Sequence, residues 1–399
     1  MATRRLNDWL SGYIEYTKST EPPLSYHTWI GIAMLASSLQ RRVYHAWGSE
    51  LIYPNMYIVL VGPAGRCRKG TALKLGKDIL EKMPIHFTSE CIIREQLIRK
   101  MVQSTDSFID PDTKIVKYHS SMTIVSPELS VFLGKNNPKF MADLTDWYDS
   151  GNSWTYETKH QGTDSIQGLC FNILAATAPD WWVEILPEAA IGGGFTSRII
   201  FVVEEEKGKT VAKPIYGQKE IILSKALTED LERICTLAGE YEFAEDAEDY
   251  YISWYEVQDK EMRNGRFPIQ DTRFYAYCDR RATHLRKLCM CLAASRSDNL
   301  IISVDTIDRA LKILEATERK MPKAFGGFGS NKMAGVTEKI LRLLVKKKQV
   351  SRSKILAEFY LSVDYHDLLL IQETLAKMGA IRVIEQPHTG DAVYEYTGP

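Results

Sequence analysis

Met56–Val61 (MYIVLV) is an unbroken apolar run, the pattern of a strand covered on both faces. Met122–Val125, Phe171–Ala176 and Ile199–Val203 share it. Elsewhere the apolar period lengthens to that of helices. Leu6, Trp9, Leu10, Tyr13 and Ile14 fall on one helical face, Tyr26–Leu39 predicts a second and more apolar helix, and Glu21-Pro22-Pro23 breaks the two. Leu73, Leu75, Ile79, Leu80 and Met83 follow the first strand run at roughly helical spacing. Thr88 or Ser89 is placed to cap a helix reaching about Val102, with Glu90 in its first turn. Residues 104–119 are polar and predict a loop or hairpin. Residues 153–170 predict a hairpin in which Trp154 and Tyr156 alternate with polar residues before a Lys-His-Gln-Gly tip. Trp181–Ala190 reads as a short helix. Residues 223–325 read as mostly helical, with Arg280, Arg281, His284, Leu285, Leu288, Met290 and Leu292 on one long helix and Ser303 capping another, Val304–Arg319.

Buried strand runs interleaved with helices predict an α/β fold. The chain divides on this reading into an N-terminal helical collar (1–50), an α/β core (51–222), a helical lid (223–325), a glycine-rich linker (326–332) and a small C-terminal unit (333–399). The collar reads as scaffold. In the C-terminal unit Thr337–Lys347, Ser351–Tyr360 and Asp367–Met378 predict three helices before Gly379. Ile381–Glu385 and Ala392–Tyr396 predict two strands, split by Pro387-His388-Thr389-Gly390. Helix, helix, helix, hairpin is the winged-helix order.

With 399 residues, 45% hydrophobic and 25% charged, the composition is that of a globular protein with a large core. The formal net charge is −1, so any nucleic-acid contact must come from local basic patches. One lies between Lys332 and Lys354, with eight basic residues against one acid, Glu338. It suits phosphate contact, and a solvated helix face explains it as well. No apolar run reaches membrane-spanning length. The N-terminus, MATRRLNDWLSGYIEYT, alternates polar and apolar residues and does not read as a signal peptide. Seven cysteines without a C-x-x-C pair argue against a zinc site or a disulfide framework and predict a reducing, cytoplasmic setting. Cys289 and Cys291, two apart in an apolar run, read as core.

Candidate chemistry sits at the strand ends. Gly62-Pro63-Ala64-Gly65 turns out of the first strand run into Arg66-Cys67-Arg68-Lys69-Gly70-Thr71. Strand, glycine loop, lysine and hydroxyl, helix is the layout of a phosphate-binding P-loop. Glycines let backbone N–H groups face an anion, and the helix N-terminus adds positive partial charge. The lysine reaches the outer phosphates, and a hydroxyl beside it ligates magnesium. The spacing departs from G-x-x-x-x-G-K-[ST]: one residue is added, Arg68 stands where the last glycine belongs, and Gly70 separates Lys69 from Thr71. An ordinary strand-turn-helix with a basic turn is the alternative. Glu128, after Ser126-Pro127, is placed either to polarise an attacking water or to act as a helix N-terminal charge before Leu129–Leu133. Thr177 ends the third run, where a polar residue can sense a γ-phosphate. Asp143, Asp146 and Asp149, spaced by three, read as a solvated acidic face rather than a metal site. Residues 204–250 read as acidic and linker-like at first, with Glu204–Glu206 and then Lys207–Lys213.

The passages PNMYIVLVGPAGRCRKGTALKL, SPELSVFLG, WTYETKHQGTDS, CFNILAATAPDW and GGGFTSRIIFV, over about residues 20–325, resemble phage- and mobile-element-encoded AAA+ P-loop ATPases of the helicase clade. That clade holds the minichromosome-maintenance helicases and the superfamily 3 helicases of viruses. The C-terminal unit adds a likeness to the winged helix of minichromosome-maintenance proteins. The resemblance implies an AAA+ core with ATP and Mg2+ as cofactors. Gly62, Pro63, Ala64, Gly65, Arg68, Lys69, Gly70 and Thr71 would cradle the nucleotide, with Lys69 on the β- and γ-phosphates. Thr71 and Glu128 would stand by magnesium, Glu128 as the Walker B glutamate with no Asp before it. Thr177 would occupy the sensor 1 region, with Ala178 where an Asn is often found.

Arg198, following Gly192-Gly193-Gly194 and expected to be exposed, looks like the arginine finger offered to a neighbouring subunit; a surface salt bridge is its alternative. Arg281, with Arg280 and Arg286 as rivals, would be the sensor 2 arginine. Lys159 and His160 at the hairpin tip would line a central channel and grip DNA, and a solvated turn is their alternative. The resemblance implies a ring-forming, hexameric DNA helicase or translocase on single-stranded or forked DNA. It would serve phage or mobile-element replication in a bacterial host's cytoplasm, with any primase or polymerase a separate chain. An initiator or helicase loader that binds or melts DNA without processive unwinding, and a P-loop-derived module that binds nucleotide without turnover, stay open.

Overall fold

The computed structural model describes residues 4–398 apart from 89, 136, 159–161, 180–185, 187–191, 326–332 and 387–389. The expected helix Trp181–Ala190, the linker 326–332, and Lys159 and His160 therefore lie mostly or wholly outside the described residues. Asp8 caps α1 (Trp9–Thr17) by accepting from Ser11 N. Pro23 precedes α2 (Leu24–Leu39), which is apolar nearly all round because it is covered nearly all round: thirteen of its sixteen residues are buried. A hairpin, β1 (Val43–Trp47) and β2 (Glu50–Ile52), leads to β3 (Tyr57–Val61), buried at every position.

The glycine turn and α3 (Lys69–Leu80) follow β3. Next come α4 (Arg94–Gln103), β4 (Thr105–Ile109), β5 (Val116–Ser126), α5 (Leu129–Leu133) and α6 (Pro138–Tyr148). A second hairpin, β6 (Ser153–Thr158) and β7 (Gly162–Gln167), precedes β8 (Leu169–Thr177) and β9 (Ile199–Val203). The four apolar runs all enter one five-stranded sheet, in the order β4-β5-β8-β3-β9. β5, β8, β3 and β9 are mutually parallel, and β4 pairs antiparallel on the edge. The chain is thus a mixed α/β protein with a parallel sheet and many helices. Val61 lies opposite Thr177 on one side and Val203 on the other, so the carboxyl ends of β8, β3 and β9 emerge level.

Two local expectations are corrected. The polar stretch 104–119 pairs as the β4–β5 hairpin, which extends the expected strand Met122–Val125 back to Val116. Thr88 caps no helix. His86 and Thr88 instead exchange backbone bonds with Thr123 around a parallel bridge from Phe87, and α4 starts only at Arg94.

The rest of the first unit (Met1–Ala324) is largely helical: α7 (Gln218–Ile234), α8 (Glu245–Arg263), α9 (Tyr275–Arg296) and α10 (Val304–Glu318), with short strands β10 (Gly239–Glu240), β11 (Glu242–Phe243) and β12 (Ile301–Ile302) between them. β10 adds to β1, which ties this helical region back to the start of the chain. Ser303 caps α10 by accepting from Thr306 N. Cys289 and Cys291 are buried in α9, and burial pushes the Cys291 thiol up to about 12. No helix among the described residues is long and apolar enough to cross a membrane.

Phe325–Pro399 forms a second compact unit. It contains α11 (Ala334–Lys347), β13 (Gln349–Ser351), α12 (Arg352–Phe359), α13 (Tyr365–Lys377), β14 (Ile381–Gln386) and β15 (Asp391–Tyr396). β13 was not expected; it pairs antiparallel with β15 to give the sheet order β13-β15-β14. Ile340, Leu344, Val350, Ile355, Leu368 and Ile371 are central to a core of the unit's own.

Candidate functional site

The site is built where β3 ends. Val61 O accepts from Glu204 N (3.0 Å) and from Tyr26 Oη (2.8 Å), and Gly62 N donates to Thr177 O (3.3 Å). These bonds draw three chains so close that a Cβ on Gly62 would lie 2.6 Å from Glu204 O, 2.7 Å from Tyr26 Oη and 2.9 Å from Cys67 Sγ. Glycine is required there by close approach rather than by its dihedrals. Gly65 does need its freedom, at φ +72°. Pro63, Ala64, Gly65 and Arg66 form the outer part of the turn, while Cys67 is buried and its Sγ donates to Glu204 O (3.2 Å).

Arg68 adopts the left-handed conformation, φ +56° and ψ +36°, as the residue before α3. The backbone there is one that glycine takes without strain, so the sequence departure at Arg68 is a residue exchange within a glycine-type geometry. Its Nε donates to Glu21 Oε2 (2.8 Å). Glu21 also accepts from Lys207 and from Val211 N, and these bonds, that from Lys207 foremost, hold its carboxyl down at about 2. Lys69 is the first residue of α3. Its Nζ donates to Gly62 O and, at 3.3 Å, to Pro63 O, so the ammonium is folded back into the loop. Burial lowers its pKa, against the opposing fields of Cys67 and Glu128.

Glu128 stands between β5 and α5, immediately before the helix, and its side chain makes no cap bond to the helix backbone. Its Oε1 accepts from Thr177 Oγ1 (3.3 Å) and Ser130 Oγ (3.2 Å), and Ser126 Oγ donates to Glu128 O (2.9 Å). Thr177 is fully buried at the end of β8. The structure thus brings Lys69, Glu128 and Thr177 to one edge of the sheet.

Thr71 is not brought to them. Gly70 takes the position after Lys69, and Thr71, two residues on, is turned about 200° around the helix. It lines a separate cavity of about 370 Å³ with Arg68, Leu75, Glu21, Tyr16 and Tyr216. The expected Thr71–Glu128 pair at magnesium is therefore not assembled. Among the described residues no group of three or more His, Cys, Asp or Glu is placed to hold a metal. Glu128 offers a carboxylate near Lys69, which suits a magnesium ion carried mainly by phosphate oxygens and water.

Arg198 is corrected: it is buried, not exposed. Its Nη2 donates to Asp149 Oδ2 (2.5 Å) and its Nη1 to Gly194 O (2.8 Å), with Tyr148 beneath the guanidinium. The glycine turn lets the Gly194 carbonyl reach the charge, and His284 Nε2 hydrogen-bonded to Ser197 O fastens that turn to α9. Asp149 is shared at 3.9 Å by Arg280, which keeps a partly exposed side chain. Of the expected acidic face, Asp146 and Asp149 are exposed, whereas Asp143 is corrected: it is buried and pairs with Arg94.

Arg281 is buried against Glu318 (Nε to Oε1, 2.7 Å), Gln258 and the Trp254 ring. Arg286 is buried between the Trp47 and Tyr251 rings. The partners of both lie in β1, α8, α9 and α10. The arms of the β6–β7 hairpin are described and carry stacked Trp154 and Tyr156, with Arg94 over Tyr156.

Sequence reasoning missed Tyr26, Glu21 and Glu204. The first two sit in segments read as scaffold. Glu204 opens a run read as linker, yet each of its acids is engaged: Glu204 with Lys320 (2.6 Å), Glu205 with Lys323 (2.7 Å) and Glu206 with Arg66 (3.0 Å). Charged residues directly after a core strand were the available signal. Comparison with known protein families and with curated proteins gave no match.

Proposed function

We propose that the protein is an ATP-hydrolysing P-loop ATPase of the AAA+ helicase clade that drives movement on DNA, with a winged-helix unit at its C-terminus. The observation that carries the reading is the meeting of Lys69, Glu128 and Thr177 beside the glycine loop. They lie at the carboxyl edge of a parallel sheet, beside the central strand where connections diverge to either side, which is where open α/β sheets bind ligands.

The loop from Gly62 to Arg68 and the amino end of α3 would hold the nucleotide's outer phosphates. Lys69, already desolvated, exchanges the carbonyls of Gly62 and Pro63 for phosphate oxygens. Thr177 and Ser130 hold one oxygen of the Glu128 carboxylate, which leaves the other to accept a proton from the attacking water. Magnesium bound with the nucleotide supplies charge neutralisation. The β6–β7 hairpin, whose tip contains Lys159 and His160, passes the work of hydrolysis to single-stranded DNA. Arg198 is engaged within its own chain, so in a ring of copies Arg280, partly exposed beside Asp149, is the arginine presented to a neighbour.

Steady-state phosphate release, with and without single-stranded DNA, tests the reading. Lys69→Ala should abolish turnover with the fold intact. Glu128→Gln should bind ATP and turn over on the order of a hundredfold or more slowly. Turnover within a few-fold of wild type in Lys69→Ala, or ATP binding by the wild type without any turnover, would refute it.

A further inference from the structure

The C-terminal unit carries its charge unevenly. Eight basic residues and one acid lie between Lys332 and Lys354, whereas seven acids and two basic residues lie from Ile355 to the end, histidines aside. The fold gives this imbalance a direction. α11 turns Ile340 and Leu344 into the core. Lys339, Arg342 and Lys346, at i, i+3 and i+7, consequently share the opposite face within an arc of about 60° and over a rise of about 10 Å. All three are exposed, and so are Lys347, the last residue of the helix, and Lys348, just past its end. Arg342 has an acid within the helix, Glu338 at 2.7 Å, and Lys347 has Glu358 at 3.4 Å. Both pairs are exposed and hold their charges weakly.

The third helix of the unit is unlike this. α13 presents His366, Leu370, Glu373, Thr374 and Lys377 to solvent, and Glu373 accepts from Lys377 (2.7 Å). Asp364 and Asp367 cap its amino end and place negative charge there. This helix offers a polyanion one lysine, Lys377, against three acids, Asp364, Asp367 and Glu373, where α11 offers a row of three cations.

We infer that this unit binds the phosphodiester backbone of nucleic acid along α11, through Lys339, Arg342 and Lys346, and not through α13. The inference rests on the reading above that nucleic acid is the protein's partner. Backbone contacts fix position and carry no base information, so the contact is indifferent to sequence. That suits an enzyme that moves along DNA and does not suit recognition of one origin.

The test uses the full chain and fluorescence anisotropy with a labelled duplex of about 20 base pairs and a single strand of equal length, from about 50 to 200 mM salt. The triple variant Lys339→Gln, Arg342→Gln, Lys346→Gln should lose roughly tenfold or more in affinity for both. For the duplex the log–log salt slope should shrink by about 2 to 3, near 0.9 for each phosphate contact removed. Its thermal midpoint should match wild type, because all three residues are exposed. The companion His366→Ala, Lys377→Gln should leave both affinity and slope unchanged.

Loss of binding in the companion, or wild-type binding by the triple variant, overturns the inference. So does a change in sedimentation of the triple variant without nucleic acid, which would make the row a contact between copies. Failure here is separable from failure of the ATPase reading: Lys69→Ala should keep the wild-type salt slope, and the triple variant should keep basal phosphate release.

Discussion

Arg198→Ala should act on the fold before it acts on chemistry. The side chain is 6% exposed, and its removal has four consequences. The charged hydrogen bond to Gly194 O is lost, about 1.5 to 3 kcal/mol. The pair with Asp149 is lost too, but Asp149 is 54% exposed, so screening leaves that contribution at roughly 0 to 1 kcal/mol. Emptying a buried site of this size costs about 2 kcal/mol more in packing. Against these, a buried charge disappears whose Nε has no hydrogen-bond partner among the described residues, which returns about 1 to 3 kcal/mol. The balance is a destabilisation of about 2 to 3 kcal/mol. For a unit of 324 residues that is a fall of roughly 3 to 5 °C in Tm. Arg198→Met, which refills most of the space without a charge, should lose about half as much. Thermal unfolding reads the stability. Phosphate release well below the transition, where Arg198→Ala should stay within several-fold of wild type, reads the chemistry. Mixing Arg198→Ala with the silent Lys69→Ala should give only the activity of the Arg198→Ala component. A wild-type Tm for Arg198→Ala, with silent turnover restored on mixing, would show the arginine acting across an interface and refute the assignment within one chain.

Gly62→Ala should unfold earlier by about 1 to 3 kcal/mol and lose nucleotide binding, because all three atoms that its Cβ would strike are held by hydrogen bonds; wild-type stability in urea would contradict this. Lys287 is buried with its Nζ on Tyr53 O and Asn55 Oδ1, and burial lowers its pKa from 10.5 to about 7. Between those values the unfolded chain binds a proton that the folded chain does not, so this group's contribution to stability is complete above pH 10.5 and lost as pH falls to about 7. The wild-type unfolding midpoint should therefore climb relative to that of Lys287→Met between about pH 7 and 9.5, and parallel curves would disprove the burial argument.

Much of the sheet was legible because β3, β8 and β9 are covered on both faces and need no alternation. The first part of β5 was not, since Val116–His119 pairs only with the edge strand β4 and keeps a largely polar sequence. Phe87 was beyond reach: a single bridging residue has no period. At the site, Thr177 ends β8, Glu128 comes two residues after β5 and Lys69 closes the loop that leaves β3, and parallel neighbours in register bring such ends together. Thr71 failed for want of a helix phase, which is set by where α3 begins. Arg198 failed because what buries it comes from far along the chain, Asp149 and Tyr148 about fifty residues before it and His284 after. A local pattern of glycines and one arginine contains none of that.

Glu204 shows what the acidic run does once it is not a linker. Its N–H bonds to Val61 O and its carbonyl accepts from Cys67 Sγ, so its backbone closes both ends of the glycine loop. Its carboxylate accepts from Ser25 Oγ (2.7 Å) and Lys320 Nζ (2.6 Å), so its side chain joins the start of α2 to the end of α10. One residue therefore touches the loop through groups that cannot be mutated away and the helices through a group that can. The loop also reaches the same run through Arg66 and Glu206, and the scaffold through Arg68 and Glu21. An anion that drew Lys69 off the carbonyls of Gly62 and Pro63 would change the field and the hydrogen bonding at the very residues to which Glu204 is fastened. The physical route from the loop to α10 is then short and specific: Val61 and Cys67 to the Glu204 backbone, and the Glu204 carboxylate to Lys320.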